Sequence, residues 1–463
     1  MLPKMVRRRL GLRDDAGMAM ITVILMGLIL MSVVAVSTNN ALGDLNNSTR
    51  ELRRSTSFQA AEAGVDDYVA KLTEDHSYYL HYVHPAESTR SAGGTSVASG
   101  QAWNGAATWT YPTHQNSWRV LGNGYLYNLE VTPPSVGSPT ITIVATGKAP
   151  GTTGEKRKIE VIVRTGSIAD FQMISNADIS YSSAATTRGK IYAGIDSGGV
   201  AHTVTHSGDA YGSIMGEGGV FGTTPARLFN NAKVYGPTTN PNIRSVVQTP
   251  INFNNFTESF VNVRAAAGSG GILLDDNTKH AWRLTFTSAG TITIDTCMRV
   301  GSFNVAESAP VCTFNRTANV PINGAIYVAQ TAIVQGIVDG QATVVSNGDV
   351  VIGNDITYEL TANDVLGLIA KNSVLMAQWS PNSLTVRAAV IAQTGQYRSW
   401  TSTNVKTGTF THNGAVATNL GGFMSMFSTR VYNYDDTLLF LQPPYFPVLE
   451  ESYTVLDFRE LAS

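Results

Sequence analysis

Residues Gly17–Thr38 read GMAMITVILMGLILMSVVAVST, and from Ala16 to Gly43 no side chain carries an ionisable group. Most of the run is Met, Ile, Leu, Val or Ala. At about 1.5 Å per residue, a helix of this length spans roughly the 30 Å hydrocarbon core of a bilayer. The segment ahead of it holds Lys4, Arg7, Arg8, Arg9 and Arg13, which the positive-inside rule keeps on the cytoplasmic side. The expectation is a single pass of the cytoplasmic membrane with the amino end inside and the rest of the chain exported. A secretory signal peptide has a shorter apolar region and ends in small residues. Here Asn39-Asn40-Ala41-Leu42-Gly43-Asp44 offers no obvious A-x-A site. A plain one-pass anchor is the other reading.

The next stretch, GDLNNSTRELRRSTSFQAAEAGVDDYVAKLTED from Gly43, contains no proline. Phe58, Ala61, Val65, Tyr68 or Val69, and Leu72 recur at helical spacing, while Glu51, Arg53, Arg54, Asp66 and Lys71 fall largely on other faces. One helix is expected over 18–72, roughly 80 Å long. Half of it would be apolar and half amphipathic, the second half packed on a globular domain.

Two local patterns carry a resemblance. A glycine directly before the apolar run, behind a short basic leader, resembles the prepilin leader of type IV pilins and pseudopilins. That resemblance implies cleavage by a prepilin peptidase between Gly17 and Met18. The segment FQAAEAG, with Phe58, Gln59, Ala60, Ala61, Glu62 and Ala63 followed by Gly64, closely resembles the hallmark of PilX-type minor pilins, which are type IV pilus assembly proteins. The family's major pilins carry a glutamate at the fifth mature position. Here that filament-core position is Thr22. A lone carboxylate in hydrocarbon is costly unless a cation meets it. The tip pseudopilin of type II secretion systems similarly lacks the glutamate, so Thr22 argues for a tip-proximal or initiating subunit. The partners implied are other pilins through the N-terminal helix, the prepilin peptidase and the cytoplasmic membrane, with an extracellular filament or cell surface as destination.

Composition fits an exported, strand-rich chain. Of 463 residues only 14% are charged, against roughly a quarter in ordinary soluble domains, and the formal net charge is −2. No basic cluster follows Arg54 except Lys156-Arg157-Lys158, so nucleic acid is not expected as a partner. The two cysteines, Cys297 and Cys312, are too few ligands for a metal site. In an oxidising compartment they are expected to form a disulfide, worth about 3 kcal/mol on the chain-entropy model.

Residues 73–165 read as a pilin-like β head. Ile141, Ile143 and Ala145 alternate with more polar neighbours, as do Ile159, Val161 and Val163, the pattern of antiparallel strands covered on one side. The ITIVATGKA…KRKIEVIVR pattern also looks like PilX-type heads. His76, His81 and His84 are spaced for neither a helical zinc pair nor a finger and read as surface histidines. From 166 to 428, short strand-like bursts are separated by Asn-Gly, Asp-Gly and Gly-Gly turns, most clearly in NGAIYVAQTAIVQGIVDGQATVVSNGDVVIGNDITY from Asn323 to Tyr358. Strands this short make poor meanders, and a parallel β-helix explains them better than a β-sandwich. The irregular stretch from Pro225 to Val320 is expected to be excursions from the coil stack. Residues 429–463, with Gln442-Pro443-Pro444-Tyr445-Phe446-Pro447, read as a C-terminal cap over the open end of that solenoid, and the Y-x-Y-D…PPYFP…F-R-E pattern resembles the tail of β-helical PilX-related proteins.

The fold class expected is therefore α+β: a leader over 1–17, the membrane helix, a pilin-like head, a β-rich solenoid and a cap. A subunit of this kind would display its solenoid for assembly priming, adhesion or cargo contact, with a surface or glycan ligand. The competing reading is a membrane-anchored, polysaccharide-active enzyme or adhesin on a β-helix. Its candidate acids are Asp275-Asp276 and Asp435-Asp436, with Arg387 and Arg430. Neighbouring residues on a strand point to opposite faces, no nucleophile elbow, H-E-x-x-H or Walker loop is present, and His202 with His206 lacks a neighbouring carboxylate. The turns at Asp196, Asp339, Asp349 and Asp355 have no repeating calcium-ligand pattern. No catalytic residue, cofactor or metal is expected.

Overall fold

The computed structural model describes residues 15–74, 78, 109–111, 118–122, 124–132, 140–150, 155–222, 232–235, 253, 257–302, 304–361 and 363–461. A single helix, α1, runs Asp15–Glu74, 60 residues and about 90 Å. Two hydroxyls in the apolar half turn back on the helix: Ser32 donates to the Ile29 carbonyl and Thr38 to that of Val34, each at 2.7 Å. That satisfies them without a partner from outside. Gly17 and Met18 lie in its first turns. The basic residues ahead of Ala16, and His76, His81 and His84, lie outside the described residues.

The second half of α1 packs on an antiparallel sheet. Its strands lie in the order Trp109–Tyr111, Leu126–Thr132, Ile141–Lys148, Lys156–Ser167 and Val448–Leu461, and Arg119–Val120 also pairs with Leu126–Thr132. Strict alternation turns Ile141, Ile143 and Ala145, and opposite them Ile159, Val161 and Val163, inward against Ala61, Val65, Tyr68 and Leu72 of the helix. Each large apolar side chain buried this way contributes about 1.5–3 kcal/mol.

The last strand departs from expectation. Residues 429–463 do not close an open end. Phe427–Asn433 is a strand of the larger domain, and Val448–Leu461 returns to the head, where it pairs antiparallel with Lys156–Ser167. Between them the proline-rich arm lies along an outer flank: the Thr343 hydroxyl donates to the Pro444 carbonyl, and Pro443 and Phe446 sit over Gly367. A strand's alternation specifies its two faces but not the edge it joins.

The larger domain is a closed, barrel-like and mostly parallel sheet. Ala325–Val328 pairs in parallel with Gln341–Ser346, which pairs with Val365–Ala370, which pairs with Leu384–Ala392, which pairs with Lys406–Thr418. A second series runs Thr331–Val338, Val350–Tyr358, Val374–Met376 and Tyr397–Ser399. Each strand therefore pairs with the strand two places on. Within Thr331–Val338, two bursts join into one strand with a register shift between Val334 and Gly336, where the left-handed φ of 107° suits glycine. Side chains of alternating parity fill the interior, among them Ile326, Val328, Val344, Leu366, Leu368, Val386 and Val390. The opposite parity of the first series, Tyr327, Val345, Ile369 and Ile391, is covered from outside by helix α2 (Thr257–Gly268), the turn Ile168–Asp170 and Phe446.

Within the stretch expected to be excursions, the described residues 272–319 form regular strands. Ile272–Leu274 and Ala281–Thr287 extend the two parallel series, pairing with Ala325–Val328 and Thr331–Val338. Thr291–Met298 and Val311–Asn319 add antiparallel strands beside them. Cys297 stands opposite Cys312 in that antiparallel pair and the two are joined by a disulfide.

Candidate functional site

The feature that organises the molecule is the division of α1. From Met20 to Leu52 its large apolar side chains are exposed: Met20 is 67% accessible, Leu30 64% and Leu52 67%. The helix is long and apolar enough to cross a membrane, and none of its most apolar window is covered by the rest of the chain. Thr22 lies on this bare half.

Where the helix meets the head, backbone approaches backbone. Ala60 and Ala61 are buried, Gln59 is exposed and Phe58 meets the edge of Phe458 at a ring separation of 6.1 Å. A Cβ on Gly64 would fall 2.6 Å from the Tyr127 ring, and one on Gly147 would fall 2.0 Å from the Ser57 carbonyl oxygen and 2.6 Å from the Ala61 nitrogen. The small residues of FQAAEAG thus seat two strands, Ala60 and Ala61 against Gly147 of Ile141–Lys148 and Gly64 against Tyr127 and Leu129 of Leu126–Thr132. Glu62 and Ala63 are half-exposed. Gly147 is the residue that sequence reasoning passed over; its trace is the glycine that ends the apolar alternation of ITIVATG.

Polar contacts fix both ends of this seat. At the exit, Ser57 donates to the Glu155 carbonyl at 2.8 Å, and Arg50 and Arg54 reach the Glu155 carboxylate at 3.8 and 3.3 Å. Deeper in, Asp67 accepts from Lys71 at 2.8 Å, Tyr127 at 2.7 Å and Arg119 at 3.2 Å. Burial raises the Asp67 pKa, but the hydrogen bonds from Lys71 and Tyr127 and the two cations outweigh it and hold the carboxyl below its ordinary range.

The other candidate residues take structural positions. One Asp435 oxygen accepts from Arg387 Nε at 3.0 Å and Nη2 at 2.9 Å, while the other caps the turn Asp436–Leu439 through Thr437. Arg430 does not join them; it donates to the Phe427 carbonyl and to Ser182. Asp276 closes its own turn by accepting from the Thr278 amide and hydroxyl. Asp349 and Asp355 accept backbone N–H groups of the next coil, from Ser373 at 3.0 Å and Thr385 at 2.7 Å. His202 sits between Asp178 and Asp196, 3.4 Å from each. His206 instead points inward, 2.9 Å from the Thr187 hydroxyl and against the Tyr181 ring. Among the described residues, no three His, Cys, Asp or Glu side chains gather as a metal site.

No protein-family model matches the chain, and a search of curated proteins finds no match. Among solved structures, the chain is similar to the competence-associated pilin ComZ from Thermus thermophilus, at 14% identity and a TM-score of 0.32, over 88% of this chain and 96% of that one. A likeness of that size fixes neither fold nor role.

Proposed function

We propose that this chain is a minor pilin or pseudopilin-like subunit of a type IV pilus or related filament, of the PilX type. The observation that carries the reading is the division of one 60-residue helix into a bare apolar half and a half seated on an antiparallel sheet through Ala60, Ala61 and Gly64. Before assembly the bare half lies in the cytoplasmic membrane with its amino end inside. After assembly it exchanges lipid for the helices of other pilins, where close packing replaces the hydrophobic effect as the attraction. Thr22 at the core position suits a subunit near the tip, which has no amine above it to neutralise. We read the closed parallel sheet as a parallel β-helix, since each strand bonds to the strand one coil away. Displayed beyond the head, it offers surface for priming, adhesion or cargo contact. One carboxylate of each acidic pair, Asp276 and Asp435, is engaged in a turn or an ion pair, and the reading is a non-catalytic one.

The test is the mature amino terminus, measured by mass spectrometry on protein from cells with and without an active prepilin peptidase. A start at Met18 that depends on the peptidase supports the proposal. An intact Met1, or a cut after Thr38, overturns it.

A further inference from the structure

Along the middle strands the interior of the larger domain is mostly aliphatic, and three tyrosines, Tyr181, Tyr397 and Tyr432, gather at one level of it. There the first strand of the larger domain, Met173–Ser175, stacks on Lys406–Thr418. A cavity of about 110 Å³ opens at this seam. At roughly 10–15 Å³ per water it has room for about seven to eleven waters, space that one six-membered sugar ring would fill. Tyr181, Tyr397 and Tyr432 present aromatic surface to it, and no carboxylate lines it. Two polar groups aim into it. Gln172 is fully buried, and its Oε1 accepts from the Tyr181 hydroxyl at 3.3 Å, which leaves Nε2 facing the cavity without a protein partner. The Tyr397 hydroxyl, on a side chain 3% exposed, is likewise unpartnered. The mouth is formed by the exposed Ser180 and Ser182 and the half-exposed Phe423, Ser425 and Arg430.

We propose that this cavity binds a single neutral pyranose unit, free or at the end of a glycan chain. An apolar occupant would leave Gln172 Nε2 and the Tyr397 hydroxyl unsatisfied, at about 1–3 kcal/mol each. The two unpartnered groups deep in the cavity, an amide and a phenol, are both neutral, and the one cation of its lining, Arg430, lies at the mouth, where it holds the Phe427 carbonyl and the Ser182 hydroxyl. A sugar supplies what remains: hydroxyls that accept from the amide and exchange hydrogen bonds with the phenol, and C–H faces that lie on tyrosine rings. The assignment does not depend on the filament reading, because leader processing and sugar binding are separate measurements.

The experiment uses the full-length protein in a zwitterionic, sugar-free detergent and saturation-transfer NMR with the methyl α-glycosides of glucose, galactose and mannose, and with glucuronate. At least one neutral glycoside should bind. Tyr397→Phe should weaken it by about five- to tenfold, the loss of one hydrogen bond, and Ser180→Trp at the mouth should abolish it. Both variants should keep the wild-type Tm. Binding of no glycoside would overturn the proposal, as would binding of glucuronate alone. Neutral binding that survives both substitutions would place the sugar elsewhere and overturn it equally.

Discussion

Ile174 stands in parallel register with Ala417, the first strand of the larger domain laid against the end of one of its last. Arg430 likewise pairs with Ala185. The chain therefore enters the closed sheet in its middle. The described strands from Met173 to Tyr235 build outward on one side of the seam, and those from Ile272 to Asn433 build the other side and return to it.

A seam of this kind couples the two halves. Ile174 is 1% exposed, so Ile174→Ala should cost about 2–5 kcal/mol, as large-to-small core changes do. Native-state hydrogen exchange should show protection falling together in 173–216 and in 406–433. A loss confined to the first segment would mean that the halves fold independently.

Gly147 and Ser57 define the helix seat. Gly147→Ala forces a methyl group to within 2.0 Å of a backbone carbonyl and should destabilise the head by roughly 3 kcal/mol or more, as overpacking against backbone does. Gly27, in the bare half, has nothing within 4 Å of such a methyl. Gly27→Ala should leave head stability unchanged. Thermal unfolding of the two variants side by side checks the contrast.

The helix was readable in the sequence because a charge-free run and a proline-free amphipathic run adjoin, and the head because Ile141–Ala145 and Ile159–Val163 alternate cleanly. Short strand bursts between glycine turns were also visible. Their partners were not. Nothing in Met173–Ser175 names Ala417, since parallel register is set by contacts across the whole domain. The same holds for TVLDFREL, whose alternation reads equally as a cap or as an edge strand of the head. Asp435 looked like half of an acidic pair, but its role depends on Arg387, brought beside it only by the fold. The seam cavity was invisible for that reason too: Gln172 and Tyr397 line one cavity only once Met173–Ser175 is stacked on Lys406–Thr418.

Acid should loosen the seam. Burial depresses the pKa of His206 to about 4, against a smaller opposing pull from the Gly208 backbone and Asp209, and does the same to His412, against Ala388 and Asp435. The unfolded imidazoles titrate near 6.5. Between pH 6.5 and 4 the unfolded chain takes up protons that the folded one does not, so stability falls as pH drops through that window. Each histidine accounts for at most about 3 kcal/mol. Tm should be flat in these residues' contribution above pH 7 and decline below 6.5, and His412→Gln should make the decline shallower. An unchanged slope would mean that His412 titrates normally.

Removing Val448–Leu461 should open the head and spare the larger domain, because among the described residues this strand pairs only with Lys156–Ser167. Chain ending at Pro447 should show early protease cleavage between 119 and 167, while 272–433 stays resistant. Resistance throughout would show the terminal strand to be dispensable.

The central claim is that the bare half of α1 is an assembly surface. Val33 lies within it, 56% exposed. A Val33→Cys variant, with Cys297 and Cys312 held in their disulfide, can be expressed in the host and labelled in sheared filaments with a short thiol-reactive benzophenone, which on illumination inserts into a C–H bond of the helix beside it. The account predicts an adduct between this chain and another pilin, joined through the helix. Protein recovered solely from the membrane fraction, with no adduct to any filament subunit, would contradict it.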